Sequence, residues 1–290
     1  MSALRHLPPS LILLASLCGC AQWVNTTGDE VSSLPSPPLP SDSVVLEVAF
    51  ARLPLSDAGS YDEIWQQTDE QAFSTDLRRQ WAANGLRCGM LGSQLPSKLR
   101  EILDRNAGSL VEQAEAALDA QGESTRGDRR IQCRSGRRAK VYCSKAFDQL
   151  AVLTQERGTV RGWQLPKAQC LFGLKTYPLG DGRARINLVP EVEHGEMRTQ
   201  YVGRDGTVMP QLGRERVVLE SLALDATLPP GHVLMISTTP ECKGLGEHYF
   251  VEQTTAAEVR SLLLIRLAVT QHDDLFAPDQ LATPLATPTE

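Results

Sequence analysis

Aromatic side chains are scarce, at 5% of 290 residues, and no apolar run reaches the ~20 residues of a membrane-spanning helix. Basic charge is in deficit too. Twenty-nine lysines and arginines face 35 acidic residues, for a net charge of −6. That balance excludes a chain built to coat nucleic acid. No C-x-x-C pair occurs, which removes zinc ribbons and thioredoxin-like redox sites. H-E-x-x-H, G-x-x-x-x-G-K-[ST], G-x-S-x-G and the EF-hand loop are also absent. Gly244-Leu245-Gly246 runs into Glu247-His248-Tyr249 and is no dinucleotide fingerprint. The expectation is a chain that is not an enzyme and has no cofactor and no metal. What is present is 41% hydrophobic residues, enough for a globular core.

The N-terminus carries the strongest signal. Arg5 and His6 precede the apolar stretch 11–17, which has the length of a signal-peptide h-region and is too short to span a bilayer. Leu17-Cys18-Gly19-Cys20 then follows. This resembles a bacterial lipobox: an aliphatic residue, two small ones, and the cysteine that carries the lipid. The resemblance implies that residues 1–19 are a signal peptide and that Cys20 becomes an acylated N-terminus. Removing Arg5 takes the net charge from −6 to −7, so acyl chains, at about 0.8 kcal/mol per buried CH₂, must hold this acidic body on a membrane. Ala21, rather than an acidic residue, favours the outer membrane by the same resemblance, facing the periplasm.

Residues 20–43 hold the lipidated cysteine and a spacer built around Leu34-Pro35-Ser36-Pro37-Pro38-Leu39-Pro40, extended because proline fixes φ. Residues 44–125 read as a small βαβα module. The stretch 44–50 is its first strand, and Ser74 or Thr75 caps a helix carrying Leu77 and Trp81. Asn84-Gly85 stops that helix, and 86–91 is the next strand. Pro96 opens a helix with Leu99, Ile102 and Leu103, and a further helix carries Leu110, Val111, Ala114 and Leu118. Residues 126–272 read as strand after strand, separated at Arg157-Gly158, Gly180-Asp181-Gly182, His194-Gly195, Asp205-Gly206 and Pro230-Gly231. The fold class is therefore α+β, with a mostly antiparallel β-rich domain, a sandwich or a curled sheet. Residues 273–290, with their Leu-Ala-Thr-Pro repeats, read as a disordered tail.

Beyond Cys18 and Cys20 there remain Cys88, Cys133, Cys143, Cys170 and Cys242, an odd number, so at least one is unpaired or intermolecular. Cys133 and Cys143 flank the turn Arg134-Ser135-Gly136-Arg137-Arg138 and are the candidate disulfide, across a hairpin. Arg126, Arg129, Arg130, Arg134, Arg137, Arg138 and Lys140 crowd into fifteen residues opposed only by Asp128. They form a candidate site for phosphate groups of lipid or polysaccharide. Glu191, Glu193 and His194 are the residues to try for acid–base work or a metal. His248 beside Glu247, and His272-Asp273-Asp274, are weaker versions of the same idea.

At residues 170–267 the order of features resembles the core segment of bacterial secretins, the ring-forming outer-membrane channels. Gly180-Asp181-Gly182 leads into a strand ending Val189-Pro190-Glu191-Val192. The stretch 226–236 passes through Pro230-Gly231 into an apolar strand. Leu245-Gly246 with Tyr249 and Phe250 precedes a final apolar strand at 262–265. The family's glycine pair after the apolar strand is replaced by Ser237-Thr238-Thr239-Pro240, and its repeated ring modules and membrane-spanning hairpins are not evident. The resemblance implies a retained β-module without a pore. Three functions follow as expectations. The first is a lipid-anchored envelope protein with a structural or binding role, docking on other copies or on a secretion apparatus by strand addition. The second is an envelope hydrolase, and the third a channel-forming secretin-type subunit. Its partners are the membrane, through the lipid, and an envelope protein or the chain itself.

Overall fold

Apolar residues at every second position of 44–50, and the solid run 262–265, produce two long strands that pair with each other. They are β1 (Ser43–Pro54) and the last strand, β12 (Glu258–Thr270). The computed structural model describes residues 40, 42–116, 129–156, 158–204, 207–254 and 257–270. With β2 (Leu86–Leu91), β3 (Arg129–Arg134) and β10 (Val233–Thr238), these strands form a sheet in the order β2-β10-β12-β1-β3. The short β11 (Val251–Gln253) adds to β12. All these pairings are antiparallel.

Both faces of this sheet are covered, which explains its continuous apolar runs. Leu262 and Leu264 pack with Ala51, Leu53, Val233 and Met235 against helices α1 (Ala58–Gln66) and α3 (Ser97–Ala116). Leu263, Ile265 and Leu267 point the other way, with Val44, Leu46, Val48, Phe50, Leu234 and Ile236. Their layer also holds α2 (Thr75–Ala83), α4 (Gly244–Phe250) and a second sheet. That sheet consists of β4 (Ala139–Tyr142), β5 (Phe147–Glu156), β6 (Thr159–Pro178), β7 (Ala184–Arg204), β8 (Thr207–Val218) and β9 (Leu224–Leu228). Its order is β4-β6-β7-β8, with β5 on β6 and β9 on β7. The α+β class holds, with two antiparallel sheets face to face and helices over one of them.

The segments 44–125 and 126–272 do not stand as two domains. β1 lies between β12 and β3, and β2 pairs with β10, so both segments share one sheet. The reason is burial: β1 and β2 present apolar side chains on both faces, and strands of the later segment complete their hydrogen bonding. Two expected helices form one: α3 runs through both, from Ser97 to Ala116. The stretch between Arg157-Gly158 and Gly180-Asp181-Gly182 is the single strand β6, and β7 runs through the expected separator His194-Gly195. Gly195, at φ 75°, marks an irregularity inside β7 rather than its end.

Asn84-Gly85 does stop α2. Gly85 has φ 75°, and a Cβ there would lie 1.7 Å from the Lys243 carbonyl oxygen, so only glycine fits between α2 and the turn before α4. Ser74 caps α2 by accepting from the Leu77 N–H at 3.3 Å. Trp81, fully buried, donates its indole N–H to the Leu222 carbonyl at 3.1 Å, fixing α2 onto the second sheet.

Candidate functional site

Side chains alternate along β7, so Glu191 and Glu193 share the outer face of the second sheet while Val192 and His194 turn to the other. Both carboxylates are buried, at 3% and 6% exposure. They are covered from β4, from the residue before it and from β8. Arg138 grips Glu191 with two nitrogens, its Nε lying 3.0 Å from Oε1. Arg216 stands 3.5 Å from the same carboxylate. Lys140 pairs with Glu193, which also accepts from the Tyr142 hydroxyl at 3.1 Å. Beneath Glu191 lies Gly173, where a Cβ would stand 2.2 Å from Oε1; a side chain there would evict the carboxylate.

The structure thus brings together two groups that the sequence separates by fifty residues. Arg138 and Lys140 of the basic cluster neutralise the candidate acid–base pair. His194 is not with them, and no described His, Cys, Asp or Glu set could hold a metal. Of the other basic residues, Arg129 donates to the Lys140 carbonyl, and Arg130 pairs with Glu47 at 3.2 Å. Arg134 and Arg137 are exposed and line an open cleft of about 370 Å³ with Gln132, Cys133, Arg138 and Ala139. Arg126, Cys20 and His272-Asp273-Asp274 lie outside the described residues. His248 meets the Phe147 ring edge-on at 6.2 Å, beside a cleft of about 350 Å³.

Cys133 and Cys143 are both buried, and no disulfide joins them. The hairpin expected between them does not form: β3 pairs with β1 and β4 pairs with β6, so the two cysteines belong to strands of different sheets. The turn between them is nonetheless where the chain reaches the body. The Ser135 N–H donates to the Asp42 carbonyl at 2.6 Å and the Gly136 N–H to the Thr176 carbonyl at 3.0 Å. The end of the proline-rich spacer and the Arg134–Arg137 turn therefore sit side by side.

At the other end of the second sheet is a feature that the sequence reading did not single out. Pairing of β6 with β7 ends at Gln169–Glu193, but β7 and β8 continue together to Arg204–Thr207. This hairpin carries Met197, Tyr201, Val208 and Leu212 at 48–76% exposure. Thr199 pairs with Leu212, Tyr201 with Pro210, and Gly203 with Val208, so Tyr201, Val208, Pro210 and Leu212 share one face. The sequence signal is apolar residues flanking Asp205-Gly206, with Tyr201 and Val202 before it and Val208, Met209, Pro210 and Leu212 after it. Among the described residues no strand pairs with the outer edge of β8.

No protein-family model, curated protein or solved structure matches the chain.

Proposed function

We propose that this chain is a lipid-tethered, non-catalytic binding protein of the bacterial cell envelope that docks by strand addition along β8. The observation that carries this reading is the β7–β8 hairpin, with an unpaired edge and an exposed apolar face. An unpaired strand edge is a template for another strand, and proteins that keep one apolar and uncovered use it. A second copy of the chain is the partner with a matching edge. Antiparallel addition of β8 to β8 is self-complementary about a two-fold axis, and it would set Val208, Pro210 and Leu212 of each copy on a shared surface. The lipobox resemblance supplies the tether at Cys20. Asp42, at the end of residues 20–43, lies beside the Arg134–Arg137 turn, and the hairpin leaves the second sheet at its other end. Burial of Glu191 and Glu193 in ion pairs favours this reading over a hydrolase centred on them.

Light scattering on the detergent-solubilised chain tests the docking. The expected result is a dimer or larger assembly that Val208→Lys and Leu212→Lys dissociate without altering the circular dichroism spectrum. A monomer up to about 100 µM, well above an ordinary micromolar dissociation constant, would refute it.

A further inference from the structure

The turn between β3 and β4 holds two arginines that the ion pairs of this region leave over. Arg134 and Arg137 are exposed, and among the described residues neither meets a carboxylate. The carboxylates that the basic stretch 129–140 does reach are each shared between two cations. Glu47 serves Arg130 and Arg266, and Glu191 serves Arg138 and Arg216. Glu193 serves Lys140 and, at 3.9 Å, Arg138. Asp42, exposed beside the turn, pairs with no described cation and offsets one of these charges at most. In a chain of net charge −6, this end of the fold therefore carries a local surplus of positive charge.

The backbone that carries the two arginines is fixed. The Ser135 N–H donates to the Asp42 carbonyl, the Gly136 N–H to the Thr176 carbonyl, and the Arg137 N–H to the Arg134 carbonyl at 3.0 Å. Gly136, at φ 71°, makes the reversal between them. Arg134 and Arg137 then line one open cleft of about 370 Å³. A third cation stands behind the turn. A Cβ at Gly136 would lie 3.6 Å from the Tyr177 ring, and the Arg185 guanidinium sits over that ring at 4.8 Å, also without a described carboxylate.

We propose that this cleft is a binding site for a phosphate group, held by Arg134 and Arg137, with Arg185 adding to the attractive field. Guanidinium groups keep their charge at every accessible pH, and each offers a planar fork of donors. A carboxylate fills one such fork. A phosphate group has oxygens enough for two, so two forks on one cleft favour it. The cleft is open, so solvent and salt screen the contact and the affinity is modest. Inorganic phosphate and the phosphate of an anionic lipid headgroup share this chemistry. The proposal depends neither on docking along β8 nor on the tether at Cys20.

Phenylglyoxal modifies accessible guanidinium groups, and peptide mass mapping locates each adduct. The full chain in neutral maltoside micelles is labelled with inorganic phosphate added, with phosphatidylglycerol mixed into the micelles, or with chloride at matched ionic strength. Arg161, exposed on β6 and also without a described carboxylate, is the internal reference. At about 20 mM phosphate, a site with a dissociation constant of a few millimolar slows labelling of Arg134 and Arg137 about five-fold, while Arg161 is unchanged. Protection by the free ion, by the lipid or by both supports the site, and the pattern assigns the source of the phosphate. In Arg137→Gln the protection of Arg134 should fall below about two-fold, because the two forks share one ligand. Protection by neither probe, equal protection of Arg161, the same effect from chloride, or full protection of Arg134 in Arg137→Gln would overturn the proposal. The comparison with Arg161 needs only the unaltered chain, so it decides even where the variant fails to fold.

Discussion

The buried ion pair at Glu191 makes an asymmetric prediction. The Glu191 side chain is 4% exposed and its main partner Arg138 is 23% exposed, so the two charges are not equally able to recover water. Arg138→Met strands a carboxylate in the interior with only Arg216, at 3.5 Å and itself half-exposed. Removing one partner of a buried pair costs about 3–5 kcal/mol, and the remaining arginine places the loss at the lower end, about 3 kcal/mol. Glu191→Gln releases instead an arginine that can swing outward, and the amide oxygen still accepts a hydrogen bond. That loss should be about 1–2 kcal/mol. The double variant Arg138→Met/Glu191→Leu removes both charges together and should fall within about 1 kcal/mol of the starting protein. Urea unfolding followed by tryptophan fluorescence measures all three, with constant slopes confirming that only stability has changed. If Arg138→Met costs less than Glu191→Gln, the carboxylate is not the group that depends on its partner, and the reasoning fails.

Gly85→Ala forces a Cβ towards the Lys243 carbonyl at a positive φ and should destabilise by about 2–4 kcal/mol, read as a fall in the urea midpoint. Burial pushes the Cys88 and Cys170 thiols up to about 12 and Cys133 to about 11. The unfolded chain loses those protons near 8.5, so this contribution is complete below that pH and is lost as pH rises through 11–12. The urea midpoint should decline over that range, and Cys88→Ala with Cys170→Ala should flatten the decline. Replacing Arg134 and Arg137 with alanine should weaken binding of a lipid-free body to vesicles rich in anionic lipid. Binding unchanged at low salt would show that the turn does not meet phosphate groups.

How much of this was legible in the chain depends on the range of the interaction. Period-2 alternation at 44–50 and 184–188, the Ser74 cap and the Asn84-Gly85 stop are local, and each element appears where its residues place it. His194-Gly195 reads as a separator for a good local reason, since a positive φ interrupts a ladder. It does not end β7, because β8 pairs on both sides of it, at His194–Glu215 and at Arg198–Gly213. The union of Arg138 and Lys140 with Glu191 and Glu193 is a matter of register across three strands. A slip of one residue in β6 against β7 would turn both carboxylates to the other face, and no local pattern specifies against it.

The two ends of the second sheet have opposite characters, and this follows from topology rather than composition. The spacer joins β1 beside Thr176, near the end of β6, and the hairpin leaves beyond Gln169 at the start of its pairing with β7. Seven residues of strand at roughly 3.3 Å each already separate them before the hairpin adds its own length. The proposed tether at Cys20 would enter at the Asp42 end of the sheet, and the proposed docking surface is the hairpin at the other end. Crosslinking between lipid headgroups and a probe at position 208 discriminates: no labelling while a probe at 134 is labelled supports outward docking, and labelling at 208 refutes it.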